Sequence, residues 1–245
     1  MISFRGRVVL LDIEGTLSPL PFVRDVLFPY ARREVAGFLR ERLSKGRLDD
    51  VVRQMARDDG AASAEAWCPH PWDRTEAADW IAGRAVEWMD ADRKWTGLKE
   101  LQGLIWERGF QDGSLRAPVF PDVVAGLRRF RAAGLSTRIY SSGSIAAQKL
   151  LFGHTDAGDL CPLFDAHYDT TSGTKRAAES YRRIARDCGV EPGAILFLSD
   201  VGAELDAAAE AGLAVGWMVR PDNAPETGVR HPRATSLDQV EVAAA

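Results

Sequence analysis

Cysteine is scarce in this 245-residue chain: Cys68, Cys161 and Cys188 stand far apart, and none sits in a Cys-x-x-Cys spacing. An odd, dispersed set of thiols excludes a disulfide framework and a structural zinc site. Histidine is almost as rare, and His70, His154, His167 and His231 form no His-Glu-x-x-His pattern. No apolar run reaches the length of a membrane span, and the N-terminus lacks the apolar segment of a signal peptide. Nor is there an excess of basic residues: 31 Lys and Arg face 35 Asp and Glu, giving a net charge of −4, and the cations are scattered instead of gathered in a stripe. That argues against a nucleic-acid partner. No internal repeat and no low-complexity linker interrupts the chain. Together these absences predict a cytoplasmic globular protein with no nucleic-acid partner and no membrane.

What is present is an ordinary globular composition, 46% hydrophobic and 27% charged. The length suits one large α/β domain or a core domain with an insert. The stretch Arg7-Val8-Val9-Leu10-Leu11-Asp12-Ile13-Glu14-Gly15-Thr16 reads as a buried parallel strand that gives out at Asp12. Further strands are expected over 135–140, 166–168, 194–198 and 215–219, separated by helices over 121–133, from Ile145, from about Lys175 to Cys188, and over 202–211. The tail after Pro221 offers little periodicity, and Ala243 to Ala245 are expected to fray. Alternating strands and helices imply a doubly wound, parallel, Rossmann-like α/β sheet.

Between Phe22 and about Phe110 the character changes. Helical spacing recurs over 29–43, 48–57, 76–89 and 98–107, with no convincing strand. The reading is a core domain of residues 1–17 and 118–245, with an all-helical cap, 18–117, inserted after the first strand and hinged near Ser18 and Ala117. Six of the seven tryptophans, Trp67, Trp72, Trp80, Trp88, Trp95 and Trp106, lie in the insert. Most are expected to build the core of a small bundle, with one or two left to wall a pocket for an apolar tail.

Parallel strands bring their C-terminal ends to one rim, where open α/β sheets bind ligands. The residues collected there are Asp12 and Glu14, Ser141 and Ser142, Lys175 at a helix start, and Asp200 with Glu204. Each has a bland reading: the serines as a capping loop, Lys175 as a solvated surface residue, Glu204 as a first-turn acid favoured by the helix dipole. Taken together they match phosphoryl transfer, which needs an in-line oxygen nucleophile, a cation and donors for the phosphate oxygens. Asp12 could attack while binding Mg²⁺, with Asp200 completing the cation's ligands. Ser141 could hold the phosphate, and Lys175 could neutralise phosphate and nucleophile. Glu14 is placed to protonate the leaving oxygen and then activate water, or to touch the metal.

At this point the chain resembles the haloacid dehalogenase-like hydrolases, whose four motifs are matched by Asp12-Ile13-Glu14-Gly15-Thr16, Ser141, Lys175 and Ser199-Asp200. The resemblance narrows to the enolase-phosphatase (acireductone synthase) family through Glu14 in place of a second aspartate. Phe22-Val23-Arg24-Asp25-Val26-Leu27-Phe28-Pro29-Tyr30, the 92–106 segment, Tyr140-Ser141-Ser142-Gly143-Ser144 and the 199–208 segment add to it. It implies a Mg²⁺-dependent, monomeric, bifunctional enzyme of methionine salvage. Such an enzyme enolises 2,3-diketo-5-methylthiopentyl-1-phosphate and then dephosphorylates it to acireductone. It also implies metal positions at Asp12, Glu14 and Asp200, substrate positions at Ser141, Ser142 and Lys175, catalytic roles for Asp12, Glu14 and Lys175, and a supporting role for Glu204. Leu17 and Arg176-Ala177-Ala178 depart from the family pattern without removing a group the chemistry needs. The alternatives are a Mg²⁺-dependent phosphatase for another small ester, a regulatory phospho-acceptor domain, and a dehalogenase, which needs no cation and so no Asp200.

Overall fold

The computed structural model describes residues 1–46, 48–71, 75–221, 223 and 228–245. Strands β1 (Ile2–Gly6) and β2 (Val8–Leu11) open the chain. Helices α1 (Phe28–Arg42), α2 (Asp49–Asp58), α3 (Ala64–Trp67), α4 (Thr75–Asp90) and α5 (Thr96–Gln111) follow. The chain continues through α6 (Val123–Ala132), β3 (Ser136–Tyr140), α7 (Ile145–Gly153), β4 (Ala166–Tyr168), α8 (Ala178–Cys188), β5 (Ile195–Ser199), α9 (Gly202–Glu210) and β6 (Ala214–Met218). Strands β7 (Arg233–Ala234) and β8 (Val240–Ala244) complete it.

The main sheet runs β4-β3-β2-β5-β6-β7, with every adjacent pair parallel. Strand β2 is central because all four of its residues are apolar and buried, as a strand covered on both faces requires. It pairs Leu11 with Ile139 on one side and with Leu198 on the other. After β2 the chain builds outward through β3 and β4, then returns to the other side for β5. The order therefore reverses beside Asp12, at the kind of switch point where such sheets open a crevice. Tyr140, Tyr181 and Phe197, none of them exposed, fill the layer between this part of the sheet and α8. Helix α8 stops at Gly189, whose positive φ lets its N–H reach back to Ala185 and Arg186.

The expectation of a fraying C-terminus is wrong. Residues of β8 pair in parallel with β1, Phe4 opposite Val242 and Gly6 opposite Ala244, and the Ala245 N–H donates to the Gly6 carbonyl at 3.0 Å. Ile2, Phe4 and Val240 are buried, so alternating apolar side chains from both ends of the chain anchor this second small sheet. Lys175 also differs from its expected place at a helix start. Ala177 keeps an extended backbone, so α8 begins only at Ala178 and Lys175 lies in the preceding turn.

The chain divides into two compact units, Met1–Phe22 with Arg116–Ala245, and Val23–Leu115. Ser18 belongs with the first because its hydroxyl donates to the Pro118 carbonyl at 2.9 Å. Within the second unit α1 packs on α4 and α2 on α5. Trp67 and Trp88 are buried there, with ring centroids 5.7 Å apart, while Trp80 packs edge-on against Trp67 and Trp95 against Trp88. The Trp67 indole N–H donates to Asp59 and that of Trp106 to the Leu27 carbonyl, so both polar tips are satisfied. Trp72 lies outside the described residues.

Candidate active site

Asp12 follows β2 directly, and its N–H still bonds to the Leu198 carbonyl of β5 at 3.0 Å. The side chain is buried, with Thr16 Oγ1 at 3.5 Å from Oδ2. A carboxylate in such a place needs a compensating charge. Lys175 supplies it: its Nζ sits 2.5 Å from Asp12 Oδ1 and 2.6 Å from Glu204 Oε2, and the lysine is itself only 8% exposed. Burial alone would pull the ammonium down, but Asp12 and Glu204 outweigh it and hold Lys175 above its ordinary value. Glu204 in turn accepts from Ser199 Oγ at 3.0 Å. Its carboxyl is raised by burial and by Asp12, with Lys175 opposing.

The turn carrying Lys175 is held from beneath. Tyr181 donates to the Lys175 carbonyl at 2.7 Å, and Tyr140 donates to the Gly173 carbonyl at 2.9 Å. The ammonium also lies within 6 Å of the ring centroids of Tyr140, at 5.9 Å, and Phe197, at 5.8 Å, near enough for the ring quadrupoles to favour the cation.

Asp200 follows β5. Its backbone carbonyl accepts from the Trp217 indole at 3.0 Å, and its Oδ2 accepts from Asn223 Nδ2 at 3.2 Å. Its Oδ1 is buried and has no hydrogen-bond partner among the described residues. Burial first, and Asp12 second, raise its carboxyl to about 8. Gly15 makes the close approach possible: its φ is +72°, and a Cβ there would lie 2.3 Å from Asp200 Oδ2. Gly15→Ala is therefore expected to cost roughly 1–3 kcal/mol through the left-handed backbone and the clash together, read as a lowered Tm. It is also expected to displace Asp200, read as lost turnover beyond what the Tm change explains.

Glu14 keeps an exposed side chain. Surrounding protein and then Asp12 raise its carboxyl, Lys175 lowers it, and solvent screens all three effects. Ser141 is buried, and its Oγ accepts the Gly143 N–H at 3.2 Å, while Ser142 is exposed. Gln148, buried on α7, fixes this loop to β4 by donating to the carbonyls of Gly143 and Tyr168, each at 2.8 Å. The structure thus brings Asp12, Lys175 and Glu204 into direct contact, sets Asp200 beside Gly15, and puts Ser141 at the end of the neighbouring strand. Among the described residues no group of three or more His, Cys, Asp or Glu side chains forms a ready-made metal cage. An open groove of about 380 Å³ at the sheet edge, lined by Lys149, Cys161 and His167 among others, shares no residue with this cluster. Its thiol is pushed up to about 11 by burial and by Asp159, which makes it a poor nucleophile.

The family profile for haloacid dehalogenase-like hydrolases matches residues 7–212. A protein of Gluconacetobacter diazotrophicus named Enolase-phosphatase E1 is 50% identical, covering 95% of this chain and 92% of the relative. The protein of the same name from Thioalkalivibrio sulfidiphilus is 47% identical over 96% and 99%. The chain belongs to the enolase-phosphatase family of haloacid dehalogenase-like hydrolases. Among solved structures, the UTR4 protein of Saccharomyces cerevisiae superposes with a TM-score of 0.79 at 32% identity, covering 96% of this chain and 99% of that one. CbbY from Rhodobacter sphaeroides in complex with phosphate, at 16% identity over 96% of each chain and a TM-score of 0.56, shares the fold.

Two residues of this enzyme's site region escaped the sequence reading, because they lie in the tail that follows β6. Asn223 is described above, and Arg220, 2% exposed, donates from Nε to the Thr16 carbonyl at 2.9 Å. Its Nη1 reaches both oxygens of Asp122 at 2.9 and 2.8 Å, and its guanidinium stacks over Phe120 at 4.4 Å. The signal in the sequence was one arginine after an apolar strand, which looks solvated until Asp122 is brought to it. Asp122→Asn leaves that guanidinium without a counter-charge and is expected to cost about 3–5 kcal/mol near pH 7, measured by urea melts. Burial works against ionised Asp122, but the Leu237 N–H and Arg220 win and hold its carboxyl below its ordinary value. The pair's contribution is therefore complete above about pH 4 and drains away as the pH falls further. The deficit of Asp122→Asn should shrink over that acid range.

Proposed function

We propose that the chain is an acireductone synthase. It enolises 2,3-diketo-5-methylthiopentyl-1-phosphate and then releases its phosphate, working as a monomer in the cytoplasm. The observation that carries the reaction class is the buried Asp12 carboxylate 2.5 Å from the buried Lys175 ammonium. The choice of substrate rests on relatives named Enolase-phosphatase E1 that align along nearly the whole chain.

In this reading Asp12 Oδ attacks phosphorus, the phosphorus–oxygen bond to the enol breaks, and an aspartyl-phosphate forms. Lys175 keeps Asp12 ionised and lowers its repulsion from the incoming phosphate. Ser141 and Ser142 hold phosphate oxygens, and Glu204 orients Lys175. Glu14, exposed and with its carboxyl raised from its ordinary value by surrounding protein and by Asp12, suits proton delivery to the leaving oxygen and then proton removal from the water that hydrolyses Asp12. Glu14 is also the acid nearest in sequence to Asp12 for abstracting the proton beside the diketone.

The donor set fits Mg²⁺: an oxygen-only site with the buried Asp12 and the half-buried Asp200, whose own Oδ1 is buried and unpartnered among the described residues. Asp12, Asp200 and the Glu14 position would hold the ion. Once bound, Mg²⁺ supplies positive charge to the phosphate oxygens and to the developing enolate. We assign substrate selection to the helical unit, where aromatic side chains are concentrated.

The test is selectivity. The kcat/KM for the diketo phosphate is expected to exceed that for p-nitrophenyl phosphate by roughly 100-fold or more, as a site built around one substrate allows. Equal values for the two would keep a phosphatase and remove this substrate.

A further inference from the structure

We propose that Asn223 is the positioning residue of the cation site, its amide holding Asp200 against the Asp12 loop so that one carboxylate oxygen stays open toward the ion. The inference rests on the reading of Asp12 and Asp200 as cation ligands and adds to it a fifth strand end, the exit of β6.

The orientation of the amide follows from chemistry. Both near neighbours of Nδ2, the Gly15 carbonyl at 2.8 Å and Asp200 Oδ2 at 3.2 Å, are acceptors, so the NH₂ group must face them. One side chain thereby ties the residue between Glu14 and Thr16 to the acid at the end of β5. Its main chain is held as well, by the Trp217 indole on its carbonyl. With Oδ2 engaged by Asn223 and a glycine hydrogen in place of a Cβ beside it, the carboxylate is left with Oδ1, which is buried and unpartnered. A buried acceptor without a donor is costly unless something else satisfies it. A divalent cation is the partner that suits a carboxylate oxygen in an acidic pocket.

Asn223 itself is 8% exposed, and its own Oδ1 is also buried without a partner among the described residues, a second polar atom left over at the same spot. Three residues earlier Arg220 donates to the Thr16 carbonyl. Two side chains from one short segment therefore hold the consecutive carbonyls of Gly15 and Thr16, and only Asn223 extends the hold to a cation ligand. Hydrogen bonds of this kind, behind the ligands proper, set how well a metal is held.

The experiment is Mg²⁺ binding to the substrate-free protein, by isothermal titration, in wild type, Asn223→Ala, Asn223→Leu and Asn223→His. Both apolar variants are expected to raise the Kd roughly 10- to 100-fold, the cost usual for losing such a partner. Their kcat at saturating Mg²⁺ should fall far less than activity at limiting Mg²⁺. Histidine keeps an N–H near the position of Nδ2 and should recover part of the affinity. The leucine keeps asparagine's branching at Cγ and leaves no cavity, so it carries the test if the alanine variant folds poorly. A residue that merely fills space would lower Tm and leave the Kd alone. A Kd within about twofold of wild type in the apolar variants, or no recovery with histidine, overturns the proposal. Asp200→Asn is the control for the underlying reading: if it binds Mg²⁺ as tightly as wild type, the cation site itself is misassigned, whatever the Asn223 variants do.

Discussion

Asp12→Asn is expected to lower phosphate release by roughly a thousandfold or more, the scale on which losing a covalent nucleophile is felt. The amide is too weak a nucleophile to form the phospho-enzyme, and it no longer offers a full charge to the cation. The fold should survive. Lys175, the group most exposed to the loss, keeps Glu204 at 2.6 Å, so its ammonium is not left bare. Glu204 is itself braced by Ser199. Phosphate release and a thermal melt on the same sample separate the two effects. Retention of even a tenth of wild-type release would rule out the covalent step.

Lys175→Met is expected to do more damage, because one ammonium serves two buried carboxylates. Asp12 and Glu204 lie 2.5 and 2.6 Å from Nζ with side chains 7% and 13% exposed. Breaking a buried pair usually costs about 3–5 kcal/mol, most of it the stranded charge. With so little exposure there is little solvent screening to soften this. The expected result in urea at neutral pH is a loss of unfolding free energy of that size, seen as a lowered midpoint, together with loss of turnover. Lys175→Arg should not restore activity, since a planar fork cannot replace a compact ammonium wedged between two acids and the rings of Tyr140 and Phe197. A Lys175→Met protein that melts like wild type would mean the acids do not depend on this cation.

How much of this was legible in the chain differs from residue to residue. Asp12 could be read because it ends a short, wholly apolar run, and Asp200 because it follows another with only Ser199 between, the form a parallel strand buried on both faces takes. Ser141 was read from its place at the end of β3, although that strand carries Thr137 and Arg138. Lys175 was found by its place in the order of strand ends, though the extended backbone at Ala177 moved it off the helix. Tyr140 and Tyr181 were legible only as core, since nothing in a helical spacing says that a phenol reaches a particular carbonyl. The β1–β8 pair was missed because the alternation of Ile2 and Phe4 is short and its partner strand is at the other end of the chain. Arg220 and Asn223 sit in a segment whose Pro, Gly and Asn look like plain loop. Their meaning depends on contacts with Asp122, Gly15, Thr16 and Asp200 that only the folded chain creates.

The most direct test of the central claim supplies 2,3-diketo-5-methylthiopentyl-1-phosphate with and without Mg²⁺ and follows acireductone by ultraviolet absorbance and free phosphate in parallel. The account expects both products to form in equal amounts and only with the metal present, with absorbance of the enol never lagging behind phosphate. Release of phosphate from generic esters, with no acireductone from the diketo phosphate, would contradict it.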